Sequence, residues 1–132
     1  MKKTEHFQNA IKRLQDARKA CLEYPENTVM HDGLIHRFEL AFDLSLAASK
    51  EYLVEEGFLC VMHSPKQILR TAYECRIIDD EAVWLDMLDA RSRTSHAYDD
   101  HIADAITAKI SGTYLPVLEK LFDYLEGHEN NK

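Results

Sequence analysis

The chain has 132 residues and a formal net charge of −7; 45% of its residues are hydrophobic and 30% are charged. These values exclude a disordered chain and predict one domain over residues 1–132, with a core over about residues 4–126. The few glycines and prolines favour helix over a turn-rich β-sandwich, and the acidic balance excludes a general attraction for nucleic acid.

Two helices are predicted first, over about residues 4–23 and 29–56. Pro25 separates them, because proline disfavours helix for the residue before it, and Gly57 ends the second helix. The first helix has one apolar stripe at spacings of three and four, formed by Phe7, Ile11, Leu14, Ala17 and Cys21.

The second predicted helix has apolar residues on more than one of its faces, and a helix of this kind must bury more than one face. A second copy of the chain is one way to cover the excess, and we therefore favour a homodimer. The alternative is a central helix that is wrapped by neighbours in its own chain. The apolar residues are Leu34, Ile35, Phe38, Leu40, Ala41, Phe42, Leu44, Leu46, Ala47, Ala48, Tyr52 and Leu53.

The third predicted helix opens with the stretch SPKQ. Ser64 is expected as its N-cap, Pro65 at its first position and Gln67 as the residue that closes a capping box. The preceding stretch FLCVMH, residues 58–63, is predicted to be a packed connector, because a single short strand would have nothing to pair with.

The last two predicted helices begin after aspartates. Asp79 or Asp80 is expected to cap the fourth helix, which reaches Arg91, and the last helix starts at Asp99 or Asp100. The ring of Pro116 should clash with the carbonyl of Gly112, four residues back, and kink that helix. The fold class predicted is all-α, an up-and-down helical bundle of about five helices with a four-helix-bundle core and a kinked last helix.

The cysteines and histidines give no sign of a disulfide framework, a metal site or a cofactor. Cys21, Cys60 and Cys75 are odd in number and lack C-x-x-C spacing, which favours a reducing cytoplasm. Histidines five residues apart, at 31 and 36 and at 96 and 101, are poorly placed for chelation from one helix face. We expect no signal peptide, no membrane span, no metal, no cofactor and a cytoplasmic location.

The segment RSRTSHAY, residues 91–98, follows the buried stripe of the fourth helix. Arg91 shares a helical face with Trp84, so its guanidinium must be paired, solvated in a cleft or available to an anion. His96 would lie about 140° away from Arg91 around a continuous helix. For both to face one ligand, the helix must end near Arg93 and the chain must bend, which would bring the N–H groups of the last helix to the same site.

These residue types suit phosphodiester chemistry without a metal. The guanidinium of Arg91 can stabilise charge on phosphate oxygens, and the imidazole of His96 can take a proton from a ribose hydroxyl or give one to the leaving oxygen. Tyr98 can hydrogen-bond the phosphate or stack on a base. The alternative is structural: an arginine that favours a helix C-terminus, followed by loop residues. Two roles likewise stay open for Arg37 and Glu39: they border the dimer cleft, or they form plain surface ion pairs.

The pattern R-x4-H-x-Y, formed by Arg91, His96 and Tyr98 between the last two predicted helices, resembles the motif of HEPN domains. The resemblance covers about residues 5–126 and is closest to the HepT-like branch, known also as nucleotidyltransferase substrate-binding proteins. The stretches concerned are GLIHRFELAFDLSLAASKEYLVEEG, SPKQILRTAYECRIID and WLDMLDARSRTSHAYDD.

The resemblance implies a small helical bundle that forms a homodimer or a larger oligomer and brings two motifs to a shared cleft. Many members are metal-independent endoribonucleases that act as the toxin beside a minimal nucleotidyltransferase antitoxin, which can transfer AMP to the motif tyrosine. Carried over, Arg91 orients the phosphate of the RNA or nucleotide, and His96 is the general acid or base. Tyr98 is modified or contacts substrate, with Ser92 and Arg93 as further substrate-binding residues.

The sequence departs from the family pattern at three places, one of them a pair of residues. Ser92 stands where the family often has Asn, His36 where it often has Gln, and Leu46-Ala47 near a frequent Trp-Lys pair. Because serine is a shorter hydrogen-bonding residue than asparagine, two functions stay open. One is a dimeric ribonuclease, the toxin of a toxin–antitoxin pair; the other is a non-catalytic subunit that presents a substrate or nucleotide to a nucleotidyltransferase.

Overall fold

The computed structural model describes residues 2–58 and 64–130, and in these residues the chain forms helices without strands. The helices are α1 (Lys2–Glu23), α2 (Thr28–Glu55), α3 (Pro65–Glu74), α4 (Glu81–Arg93), α5 (Asp100–Lys109) and α6 (Leu115–Asn130). A 3-10 turn, Thr94–His96, follows α4, and a π-helical turn, Ile110–Tyr114, joins α5 to α6 without a break. The all-α bundle of about five helices is confirmed, since α5 and α6 together form the predicted last helix.

Side-chain caps fix the helix ends close to their predicted positions. The Ser64 hydroxyl accepts from the backbone N–H of Gln67, whose side chain accepts from the Ser64 N–H in return, so the predicted capping box is confirmed. Asp80 caps α4, and Gly57 ends α2 in a left-handed conformation with φ 91°. Asn27 caps α2, a role that the sequence analysis did not assign.

Helix α2 lies at the centre of the bundle and packs against each of the other helices. The other helices of the same chain therefore cover most of the apolar surface of α2. This arrangement is the central helix wrapped by its own neighbours, which the sequence left open as the alternative to a dimer. The buried residues of α2 are Leu34, Ile35, Phe38, Ala41, Phe42, Ser45, Leu46, Ala48, Ser49, Tyr52 and Leu53.

Two aromatic contacts join α2 to the elements that border the motif segment. The ring of Phe38 stacks on Tyr114 with centroids 5.4 Å apart, and the ring of Phe42 packs against Trp84 at 6.2 Å. Tyr114, which belongs to the π turn, is buried. Cys21 is buried. Cys60 belongs to residues 59–63 of the predicted connector, and these residues lie outside the described part of the chain.

The irregularity predicted around Pro116 is present, and it takes the form of the π-helical turn just before it. An α-helical register would place the ring of Pro116 against the carbonyl of Gly112. In the π register each carbonyl accepts from the fifth residue onward, and the Leu115 N–H donates to the Ile110 carbonyl. The carbonyl that loses its helical donor to proline is therefore that of Ser111.

Arg18 of α1 supplies the missing donor, because its Nη1 lies 3.3 Å from the Ser111 carbonyl oxygen. A side chain from a neighbouring helix thus satisfies a backbone acceptor that proline leaves without its helical partner. The contact also ties α1 to the turn between α5 and α6. Among the described residues, no helix has an apolar stretch that is long enough to cross a bilayer.

We expect Arg18→Ala to lower the free energy of unfolding by about 1 kcal/mol, because it leaves the Ser111 carbonyl without its side-chain donor. Urea unfolding followed by circular dichroism measures the effect. Lys19→Ala, an exposed neighbour on the same helix, is the matched control. Equal unfolding curves for the two variants would contradict this role of Arg18.

Candidate functional site

The predicted bend between the motif arginine and the motif histidine is present. Helix α4 ends at Arg93, the 3-10 turn Thr94–His96 follows, and Asp99 caps α5. The Asp99 carboxylate accepts from the backbone N–H of His101 at 2.9 Å and of Ile102 at 3.4 Å. The expectation that these N–H groups face a phosphate is therefore corrected: a carboxylate of the same chain occupies them.

Arg91 is paired with two carboxylates of α2. Its Nε and Nη2 lie 3.0 and 3.1 Å from the two carboxylate oxygens of Asp43, a bidentate contact. Its Nη1 donates to Glu39 at 2.7 Å. Of the three possibilities that the sequence left for this guanidinium, the structure thus selects pairing. The direction was predicted correctly, since Arg91 and Trp84 both point toward α2, where Trp84 contacts Phe42.

The pairing makes the surroundings of Arg91 negative. One guanidinium and two carboxylates have a formal sum of one negative charge, and about a third of the Arg91 side chain is exposed, at 33%. The hydrogen bonds to Asp43, and then the charges of Asp43 and Glu39, raise the pKa of Arg91 above its ordinary value. In this arrangement the guanidinium is a stable cation that already has anionic partners.

Thr94 connects this ion-pair cluster to the bend. Its hydroxyl lies 2.7 Å from the Arg91 carbonyl oxygen and 3.2 Å from the Glu39 carboxylate, and its side chain is nearly buried. The Arg91 Nη1 also lies 3.3 Å from the Thr94 hydroxyl. Helix α2 therefore holds both the end of α4 and the first residue of the turn that leads to His96.

His96 and Tyr98 form an exposed pair beyond the turn. The Nδ1 of His96 lies 3.2 Å from the Tyr98 hydroxyl, and Tyr98 is 82% exposed. A phenol hydroxyl both donates and accepts, so it can pair with either neutral tautomer of the imidazole. The other ring nitrogen, Nε2, is then available as a proton donor in one tautomer and as a proton acceptor in the other.

Ser92 and Arg93 make contacts apart from Arg91 and His96. The Ser92 hydroxyl donates to the Leu88 carbonyl of its own helix at 3.2 Å, and Arg93 lies 3.7 Å from Asp89 one turn back. The structure therefore brings together Arg91, Thr94 and two α2 carboxylates in one cluster, and His96 with Tyr98 in another. Both motif residues lie in the described part of the chain, and there no hydrogen bond or ion pair joins Arg91 to His96.

Asp43 was not predicted as a site residue, and Glu39 was predicted only to form a surface ion pair or to border the dimer cleft. For Glu39 the structure supports the ion pair, because its carboxylate accepts from Arg91. Arg37, the other residue left open, donates to the Arg13 carbonyl at 2.8 Å. The one available signal was that Glu39 and Asp43 lie four residues apart, on one face of a helix. That spacing does not say which cation of which helix they meet.

An apolar stripe stays exposed along α2 beside this carboxylate pair. Its members recur at spacings of eleven, four, three and seven residues, each close to a whole number of turns, which places them on one face of the helix. Leu40 is 43% exposed, and with Leu44 it lines a groove of about 250 Å³ between α1 and α2. The exposed or half-buried apolar residues of the stripe are Val29, Leu40, Leu44, Ala47 and Val54.

On another face of α4, an aspartate joins that helix to α5 and to the π turn. Asp86 accepts from the Tyr114 hydroxyl at 2.6 Å and from Lys109 at 3.0 Å. These hydrogen bonds, that of Tyr114 first, lower the pKa of Asp86, whereas burial raises the pKa of Tyr114. Because the contacts flank the bend on both of its sides, they help to fix the angle between the two helices that hold the motif.

Within residues 2–58 and 64–130, no three His, Cys, Asp or Glu side chains lie close enough together to share a metal ion. The bundle thus presents an exposed histidine–tyrosine pair at a helix-to-helix bend, with a paired arginine behind it. The fold itself is the all-α helical bundle that the sequence predicted.

Comparison with known proteins gives the family. Residues 2–127 match the family described as "Nucleotidyltransferase substrate binding protein like", and this chain belongs to that family. A relative from Haemophilus influenzae, named "Probable ribonuclease HepT", is 35% identical over 81 residues. That match covers 59% of this chain, which spans 56% of the length of the relative.

Two solved structures are similar along nearly their whole length. One is a Haemophilus influenzae protein reported to have the fold of a substrate-binding domain of a nucleotidyltransferase, with a TM-score of 0.83 and 25% identity. The match covers 93% of this chain and 98% of the Haemophilus influenzae chain. The other is a protein from Thermus thermophilus, with a TM-score of 0.72, 28% identity and coverage of 92% and 97%. The family resemblance that the sequence predicted is thus confirmed.

Proposed function

We propose that this chain is a metal-independent endoribonuclease of the HepT type, acting as a homodimer and neutralised by a nucleotidyltransferase partner in a toxin–antitoxin pair. The observation that carries the proposal is the exposed His96–Tyr98 pair, which leaves the Nε2 of His96 open to a substrate. Family membership and the relative named as a ribonuclease support the same chemistry.

In the proposed reaction, His96 takes the proton of a ribose 2′-hydroxyl through Nε2, or gives a proton to the leaving 5′-oxygen. Tyr98 supports either tautomer, because its hydroxyl accepts from Nδ1–H in the first case and donates to Nδ1 in the second. Arg91 binds a phosphate oxygen and stabilises the charge of the transition state. Since its guanidinium is paired in the free subunit, this role needs an exchange of partners.

The proposed dimer forms along the exposed stripe of α2. Leu40 and Leu44 line its groove, and Arg13 and Arg37 line the same groove. A second copy is the occupant that fits, because a chain of net charge −7 supplies acidic surface to meet these arginines. Glu39 and Asp43 lie on the flank of the stripe, so a dimer along it places the two Arg91 clusters near the subunit boundary.

In the proposed pairing, the nucleotidyltransferase transfers AMP to Tyr98. The phenol oxygen attacks the α-phosphorus of ATP, pyrophosphate leaves, and the phenol proton passes to Nδ1 of His96. Exposure of the hydroxyl and its 3.2 Å contact with the imidazole support this step. The adduct would cover His96 and place a phosphate beside the proposed RNA site, which explains neutralisation.

The second candidate function is a non-catalytic subunit that presents a substrate or nucleotide to the nucleotidyltransferase. The specific observation in its favour is that Arg91 already has carboxylate partners and that Ser92 bonds to its own helix. In this second function Tyr98 still accepts AMP, but the chain does not cleave RNA. RNA cleavage by the purified chain therefore separates the two candidates.

We expect the purified chain to cleave single-stranded RNA in EDTA, and His96→Ala to slow cleavage by roughly 100-fold or more, because a general acid–base group is lost. Gel analysis of a labelled RNA measures the rates. His101→Ala, another exposed histidine close to the bend, is the control and should cleave at the normal rate. A His96→Ala protein as active as the unaltered chain would remove His96 from the mechanism.

We expect the chain to gain the mass of AMP when it is incubated with ATP and the nucleotidyltransferase that co-purifies with it. Tyr98→Phe should gain none, because it lacks the acceptor oxygen, and Tyr73→Phe, which alters an exposed tyrosine on α3, should behave as the unaltered chain. Intact-protein mass spectrometry reads the outcome. An AMP adduct on Tyr98→Phe would show that another residue is the acceptor.

We expect Leu40→Glu to convert the proposed dimer to a monomer, because it places a charge in the apolar stripe of each copy. Leu22→Glu makes the same change at a residue of α1 that is 72% exposed and outside the stripe, and it should leave the dimer intact. Sedimentation velocity distinguishes the species. A monomeric unaltered chain, or a dimeric Leu40→Glu, would contradict the assignment of this interface.

A further inference from the structure

The two carboxylates around Arg91 differ in how firmly they are held. Glu39 is 26% exposed, and Thr94 contacts it as well as Arg91 does. Asp43 is 53% exposed and occupies the outer edge of the guanidinium, formed by Nε and Nη2. Glu39 is thus a positioning residue that keeps Arg91 against α2, whereas Asp43 is a partner at the solvent side.

We infer that Asp43 is a gate, a carboxylate that competes with an RNA phosphate for the outer edge of the Arg91 guanidinium. The inference rests on the proposed function and concerns the regulation of that site. A phosphate binds arginine through two parallel N–H···O bonds, which is the geometry that Asp43 already occupies. The two anions cannot use that edge together, so RNA binds Arg91 only when Asp43 leaves.

Opening the gate exchanges one anion on Arg91, the Asp43 carboxylate, for another, the RNA phosphate. While Asp43 is paired, an incoming phosphate meets a cluster with a net negative charge and is repelled. Once Asp43 turns to solvent, Glu39 and the Thr94 hydroxyl still hold Nη1, so the guanidinium keeps its position with Nε and Nη2 free. The gate therefore weakens RNA binding by the resting subunit without unfolding the site.

The test is Asp43→Asn, which keeps the shape of the side chain, removes its charge and presents an NH₂ group to the N–H groups of Arg91. Binding of a short fluorescein-labelled oligouridylate is measured by anisotropy in EDTA, in a His96→Ala background so that no cleavage occurs. We expect the affinity for the oligouridylate to rise about tenfold, because the charge-assisted pair between Asp43 and Arg91 no longer competes with the phosphate. The slope of log affinity against log salt should steepen by about one, because one more phosphate contact forms.

Asp32→Asn is the matched control, since it makes the same charge change at an exposed aspartate of the same helix, more than two turns from Asp43. Arg91→Ala is the second control, because without the guanidinium Asp43→Asn should bring no gain beyond that of Asp32→Asn. Asp43→Ala repeats the test should the asparagine variant fail to fold. A gain that is absent, equal to that of Asp32→Asn, or independent of Arg91 overturns the gate.

The outcomes separate this inference from the proposed function. If no variant cleaves RNA in a His96-intact background but Asp43→Asn binds the oligouridylate more tightly through Arg91, the gate stands and the nuclease function falls. If the unaltered chain cleaves RNA and Asp43→Asn shows no gain in binding, the nuclease function stands and the gate falls.

Discussion

One stretch of α2, residues 38–43, links the core to the candidate site. Phe38 and Phe42 point inward, where they pack on Tyr114 and Trp84, and so fix the π turn and α4 against the central helix. Glu39 and Asp43, each one residue further along, lie about 100° further around the helix and hold Arg91. Burying the aromatic pair therefore turns the acidic pair toward the edge of the core, at nearly the same height along α2. The packing of the core therefore sets the position of the guanidinium.

The charges around the bend bear directly on the proposed RNA chemistry of this acidic chain. Three of the described cations lie on α4 and α5, and each has an aspartate partner. Arg91 pairs with Asp43, Arg93 with Asp89, and Lys109 with Asp86. Surface pairs of this kind add little to stability, but they cancel the local positive potential that would draw a polyanion. The exposed His96–Tyr98 pair is then the part of the motif that is open to a substrate, a nucleotide or a partner.

Local features of the fold followed directly from short-range rules. The capping box at Ser64, the cap at Asp80, the left-handed end at Gly57 and the bend after Arg93 need only a few neighbouring residues, and each lies where the sequence predicted it. The distortion near Pro116 was also local, since a proline inside a helix must disturb the turn before it. Its π register, however, moves the carbonyl that lacks a helical donor from Gly112 to Ser111. The donor that this carbonyl finds belongs to Arg18, which is distant in sequence.

The sequence by itself determined the helices, their ends, the family and the residue types of the motif, because these depend on spacing and on contacts within a turn or two. It did not determine that Arg91 meets Asp43 and Glu39, since an ion pair between helices depends on how α2 and α4 are oriented about their axes. It also left open which apolar face of α2 stays exposed, since that depends on where the other helices pack. Only the tertiary structure decided both questions, because burial of the aromatic residues of α2 selects one rotation of the helix and thereby sets the direction in which its charged residues point.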